Sequence, residues 1–294
     1  MRILSLLPAA TEIVYALGLD DDLIGVTFEC DEPPAARRKR VVTRSALAAD
    51  LSVGEIDREV RERSARGEPL TDLDVDYLRD VPADVILTQD LCQVCAVPAG
   101  DVSAALDRLG CRADVVSLDP RTIDDIFATI TEVGRRAGVA ERADALVGQL
   151  RDRVAAVERA VAGRERVPTV ALEWIEPPFV AGHWLPEMVE RAGGRVLLGE
   201  AGAHSHEISW PDAAAVGPAA VMVAPCGFGL EDARAQAASV PEFPGARIIA
   251  VDAAGYFVRS GPRVVDGIEA LAAVLHPDAG LPARPAIASE LDRS

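Results

Sequence analysis

The sequence contains one lysine, Lys39, and no asparagine among its 294 residues. Positive charge therefore rests on arginine, and 30 basic side chains face 47 acidic ones for a formal charge of −17. A chain with that balance lacks the basic face that nucleic-acid phosphates need, and it is repelled by an anionic membrane surface. The acidity reads as solubility, and the missing residue types as compositional bias of the source. No apolar run approaches the roughly 20 residues needed to span a bilayer. The first residues show no basic stretch leading into an apolar segment and a small-residue cleavage site, and no lipidation cysteine. Read as written, the chain is expected in the cytoplasm with its five cysteines as thiols. An export leader missing from this sequence would instead place it in the periplasm or outside the cell. Neither a Ser-His-Asp order, a phosphate loop nor a zinc-protease motif is present to suggest a familiar hydrolase or kinase.

What is present is alternation. Short apolar runs separated by amphipathic stretches predict parallel sheets covered by helices, and the length predicts two lobes. Strands are expected at Ile3 to Leu7, Leu23 to Thr27, Val41-Val42, Val85 to Thr88, Ala113 to Leu118, Thr169 to Trp174, Phe179 to Ala181, Ala220 to Ala224 and Arg247 to Val251. Helices are expected at Ala10 to Leu17, Val75 to Arg79, Val102 to Leu109, Leu185 to Ala192, Leu230 to Ala238 and Pro262 to Leu275. The stretch from Ala35 to Asp74 reads as largely polar. An apolar stripe from Ile123 to Ala162 predicts a long helix that Gly138 can divide. The expected fold class is α/β: an N-terminal lobe over 1–122, a connecting helix over 123–166, a C-terminal lobe over 167–278 and a loose tail over 279–294.

Several segments carry a resemblance. Arg2 to Ile13, Ala16-Leu17-Gly18-Leu19, Leu23 to Thr27, Pro33-Pro34, Pro82 to Ile86, Glu176-Pro177-Pro178-Phe179, Pro186 to Gly194, Ser209-Trp210 and Tyr256 to Arg263 resemble, in order and spacing, the helical-backbone (class III) solute-binding proteins. That class includes the vitamin B12-binding and iron-siderophore-binding components of ABC importers, and the B12-binding members look most similar. The resemblance implies two Rossmann-like lobes with parallel sheets, a rigid connecting helix and a ligand held in the cleft between the lobes. It implies a monomer that works with an ABC permease through one carboxylate per lobe, matched here by Asp76 and Asp212. It also implies aromatic residues and an arginine pressed against a corrin, matched by Phe179, Trp210 and Arg259, with Tyr256 and Phe257 in the same motif. Gly255 stands where the family carries an acidic residue.

Ligands of open parallel sheets bind beyond the carboxyl ends of the strands. Cys30, Cys92, Cys95 and Cys226 all follow predicted strands, whereas Cys111 begins one and reads as core. Thiolates hold zinc, cuprous copper or iron–sulfur clusters, and the two-residue gap in Cys92-Gln93-Val94-Cys95 lets both sulfurs reach one ion. The same four residues also read as small apolar pocket lining, and Cys92 with Cys95 as a redox dithiol. Glu29, Glu173, Trp174, His183 and Trp184 lie at or just past predicted strand ends. Glu173 and His183 are candidate ligand or hydrogen-bonding groups, against a solvated carboxylate and a packed imidazole. Trp174, Trp184 and Trp210 can pave a flat tetrapyrrole or simply pack. Three functions stand at this point: non-catalytic binding of cobalamin, a related corrinoid or a metal chelate; a metal- or iron–sulfur-dependent enzyme built on the four cysteines; and a thiol redox protein.

Overall fold

The computed structural model describes residues 1–90, 97–110 and 112–291. Cys92, Cys95 and Cys111 lie outside the described residues. The chain divides into two compact units, Met1–Asp119 with Ala128–Leu146, and Pro120–Phe127 with Val147–Ser294.

The first unit opens with β1 (Ile3–Ser5), α1 (Pro8–Ala16) and β2 (Leu23–Gly25). β3 (Thr43–Ser45), α2 (Val53–Arg66), β4 (Thr71–Leu73) and α3 (Val75–Asp80) follow, and β5 (Val85–Thr88), α4 (Ala99–Leu109) and β6 (Asp114–Ser117) complete it. Its sheet is parallel with order β2-β1-β5-β6. All four β5 residues are buried, as a strand covered on both faces requires. Leu4, Leu6, Ile86, Val102 and Leu106 form the core beneath α4. Pro8 supplies the first turn of α1, where a missing N–H costs nothing, and the helix buries Pro8 through Val14.

The polar stretch after Ala35 holds more structure than its composition suggests. Val41 bridges to Val26 in parallel, and β3 pairs antiparallel with β4. α2 buries no residue fully, so no apolar stripe announces it. Local chemistry holds it instead. Ser52 caps the Glu55 amide, Glu55 reaches back to the Ser52 amide at 2.8 Å, and Gly67 ends the helix at φ 65°. Arg61 and Arg63 pair one turn back with Asp57 and Glu59.

The helical stripe from Ile123 divides into α5 (Ile123–Arg136) and α6 (Ala140–Val161). Gly138 makes the break at φ 73°, a left-handed conformation that most side chains resist.

The second unit contains β7 (Val167–Ile175), β8 (Pro178–Val180), α7 (Leu185–Arg191), β9 (Gly194–Val196), β10 (His206–Glu207), α8 (Trp210–Ala215) and β11 (Ala220–Val223). α9 (Leu230–Ala238), β12 (Arg247–Val251), α10 (Ala253–Tyr256), α11 (Val264–Leu275) and β13 (Ala288–Glu290) follow. The sheet runs β10-β8-β7-β11-β12-β13, with β9 beside the start of β7. β7, β9, β11 and β12 are parallel; β8, β10 and β13 run against their neighbours. Val170, Leu172, Val221, Val223, Ile248 and Ala250 are its inner face. β9, β10 and β13 have three residues or fewer, too short for their periodicity to register in the sequence.

The tail departs from expectation. Residues 279–294, expected to be loose, include β13, which covers the edge of β12 with Ala288 opposite Val251. Asp252 and Leu291 donate backbone hydrogen bonds across this pair. Arg284 joins Arg153 on the same two carboxylates, Asp266 and Glu269 of α11. Covering an exposed strand edge is the physical reason the segment orders. Among the described residues no helix is long and apolar enough to cross a membrane.

Ser52→Ala removes the capping box and should cost about 1 kcal/mol, read as a fall of roughly 2–4 °C in Tm for a chain of this size. Arg284→Ala should speed amide exchange at Asp252 and Leu291 by up to about tenfold, a modest effect because the arginine is a third exposed. Unchanged exchange there would show that β13 is held without the charge network.

Candidate functional site

A parallel sheet offers its binding position where strand order reverses, because the loops leaving the carboxyl ends part at that point. In the second unit this lies between β7 and β11: β8 and β9 share one edge of β7, and β11 takes the other. The carboxyl end of β7 is irregular. Leu172 pairs with Val180 and Trp174 with Phe179, so two steps along β7 match one along β8 and Glu173 is the extra residue. The carbonyls of Leu172 and Glu173 both accept from the β11 side, from the amides of Ala224 and Cys226 at 2.8 and 3.0 Å. Such a bulge turns a side chain out of the strand's alternation. Here the Glu173 carboxylate accepts the Gly182 amide at 3.1 Å.

Three aromatic groups sit near this bulge, Trp174 on β7 itself, Phe228 in the loop after β11 and Tyr256 at the end of α10. Trp174 packs against Phe228 with ring centroids 5.8 Å apart, and its Nε1–H donates to the Glu176 carbonyl. Phe228 lies two residues past Cys226 in the loop after β11, and its carbonyl accepts the Ala254 amide of α10 at 2.9 Å. α10 ends at Tyr256, whose ring lies 4.9 Å from the Arg263 guanidinium. Glu173, Trp174, Cys226, Phe228 and Tyr256 are all partly exposed. Together they give a carboxylate, a thiol and aromatic surface near the carboxyl end of the sheet, suited to a large flat ligand with polar substituents. Asp252 caps α10 at the Gly255 amide, and its carboxylate occupies the space that a Gly255 side chain would need. That packing accounts for glycine where the resemblance expects an acid.

His183 stands between β8 and α7 at φ 51°, a left-handed conformation unusual outside glycine. Its amide donates to the Ala203 carbonyl at 2.7 Å, and its carbonyl accepts from Gly202 at 2.9 Å. A Cβ on Gly182 would lie 2.4–2.6 Å from the backbone of residues 203–205, so only glycine fits beside this crossing. His183 Nε2 is buried without a hydrogen-bond partner among the described residues, and the His204 ring stands perpendicular to its ring, 5.2 Å between centroids. Burial, then His204 and Arg121, hold the His183 pKa below its ordinary value.

Other expected residues fall elsewhere. Trp184 is buried and donates Nε1–H to the carbonyl of Phe257, itself fully buried, so these two knit α7 to α10 within the core. Trp210 opens α8 and packs edge-on to Phe243, against the core of the sheet. Phe179 is half-buried opposite Glu207, and Arg259 is half-buried after α10. Phe228 was not singled out in the sequence; only its place two residues after Cys226 could have flagged it.

Cys30, in the first unit, is buried and part of a hydroxyl chain. Ser5 donates to the Leu7 carbonyl and Thr11 donates to Ser5, so the Thr11 proton is committed. The 3.0 Å contact between Thr11 Oγ1 and Cys30 Sγ is then a thiol donating to a hydroxyl. Thr27 approaches the same sulfur at 3.3 Å. Cys226 is partly exposed in the other unit. Among the described residues no group of three or more His, Cys, Asp and Glu is arranged to hold a metal ion.

Comparison with known proteins places this geometry. Residues 3–243 match the family described as periplasmic binding protein. A vitamin B12-binding protein of Pectobacterium carotovorum is 32% identical over 97 residues, 29% of this chain and 35% of that one. The chain thus matches about a third of that curated relative's length. Among solved structures, a periplasmic heme-binding protein of Pseudomonas aeruginosa superposes with a TM-score of 0.73 at 21% identity, covering 100% of this chain and 99% of the other. The periplasmic vitamin B12-binding protein of Vibrio cholerae gives 0.64 at 19% identity, covering 92% and 94%. At such identities the superpositions establish the fold. A match running from β1 to Phe243, through residues of both units, makes this chain a member of the periplasmic binding protein family.

Proposed function

We propose that the chain binds a cobalamin-like corrinoid without transforming it, on the face formed by Trp174, Phe228, Tyr256 and Glu173, and hands it to an ABC permease. The observation that carries this reading is the bulge at Glu173, which brings a carboxylate and the Trp174–Phe228 pair to the switch point of the sheet. Aromatic faces bury a macrocycle at low entropic cost, while Glu173 and Arg259 are suited to its amide side chains. Relatives that bind vitamin B12 and heme support a tetrapyrrole-sized ligand. The sequence likeness to a B12-binding protein favours the corrinoid.

Titration with cyanocobalamin, followed by tryptophan fluorescence, should give a Kd of about micromolar or tighter, and Trp174→Ala should weaken it by roughly tenfold. Tighter uptake of hemin than of cyanocobalamin, or no corrinoid uptake, would overturn the assignment.

The zinc or iron–sulfur alternative makes a separate demand on Cys30. With Cys30 as a hydrogen-bonding thiol, Cys30→Ser should keep stability within about 1 kcal/mol, and Cys30→Val should cost about 1–3 kcal/mol by stranding Thr27 and Thr11. Metal content of anaerobically purified protein should not change in Cys30→Ser. Loss of bound iron or zinc in that variant would restore Cys30 as a ligand.

A further inference from the structure

His183 is the one feature of the ligand face that binding alone does not explain. A buried imidazole nitrogen is ordinarily hydrogen-bonded, because an unsatisfied polar atom carries its full desolvation cost. Nε2 of His183 has no partner among the described residues. The residue is also held in a left-handed conformation, between two backbone hydrogen bonds to the 202–203 segment.

We propose that His183 is an acid switch on the ligand face of the second unit: protonation parts residues 181–184 from residues 202–205, withdraws support from Glu173, and lowers ligand affinity. The ligand half of this inference rests on the proposed binding function; the opening of the loops does not.

The argument is one of charge without compensation. A proton on Nε2 creates an N–H donor that carries positive charge in a buried position with no acceptor. The groups facing the ring are His204 from the neighbouring segment and Arg121 from the stretch before α5, and both disfavour that charge. The Glu173 carboxylate, on the neighbouring strand, is engaged by the Gly182 amide. Separating the segments lets water reach Nε2, at the cost of the His183–Ala203 and Gly202–His183 hydrogen bonds. Because the Glu173 carboxylate is bonded to the same loop through Gly182, opening there reaches the bulge and Trp174. The closed loop holds His183 below its free value of 6.5. The open loop therefore binds the proton more readily. Closure is complete above pH 6.5 and weakens as pH falls from there towards the depressed value.

The test begins with ligand-free protein. The His183 ring resonances should titrate below 6.5, and protection of the His183 and Gly202 amides, corrected for intrinsic exchange, should fall by a factor of up to about ten between about pH 7.5 and about pH 5. His183→Asn, chosen because asparagine tolerates positive φ, should abolish that pH dependence. His204→Gln should move the His183 titration up towards 6.5 and so shrink the acid-driven loss of protection. Cyanocobalamin affinity of the wild type should fall over the same range and be independent of pH in His183→Asn, whatever its value at neutrality. Titration of His183 at or above 6.5, protection unchanged by acid, or wild-type affinity unchanged while the loops open would each overturn the proposal. Absence of cyanocobalamin binding at every pH, with loop opening intact, would instead overturn the binding assignment and leave the switch standing.

Discussion

The backbone of β7 sets the terms for the second unit. β7 runs nine residues, five of them buried, and along the buried stretch its N–H and C=O groups must be satisfied on both edges because water cannot reach them. One edge is met by β11. The other is divided, β9 serving its start and β8 its end, and a regular ladder cannot be kept through both arrangements. The bulge at Glu173 resolves the conflict by giving two successive carbonyls to the β11 side. The presentation of Glu173 and Trp174 follows from this adjustment, so the proposed binding face is a consequence of how the sheet completes its hydrogen bonds.

The same constraint reaches outward. With Glu173 turned towards Gly182, the chain after β8 passes close enough to residues 203–205 that a single methyl group would collide with backbone. His183 inherits both its left-handed conformation and its unpartnered nitrogen from that crossing. Burial, then His204 and Arg121, hold the pKa of a histidine placed this way below its ordinary value.

The first unit uses its polar groups differently. Cys30, Thr11 and Ser5 form a chain that ends on a backbone carbonyl, a self-contained arrangement that keeps the loop after β2 against the start of α1. The sulfur acts there as a weak donor inside a packed region. Both units place cysteine near strand ends, yet Cys30 is enclosed while Cys226 stays partly open. Spacing in the sequence treats the two alike.

The α/β class and the positions of the longer strands and helices were legible from the sequence. α9 and β12 match their expected limits, because buried parallel strands and amphipathic helices write their periods directly into the order of residues. The family resemblance was legible too. α2 was not, since a capping box and one-turn ion pairs stabilise a helix without an apolar stripe. Nor was β13, whose three residues gain their order only from the free edge of β12. Trp174, Trp184 and Trp210 look alike along the chain, but folding puts one on the sheet edge, one in the core and one against Phe243. Residue order determined which groups arrive near the strand ends. For Glu173 the outward turn comes from the register shift between β7 and β8, and its two successive carbonyls are satisfied only by residues past β11, far along the chain, so tertiary pairing completes what the local hairpin begins.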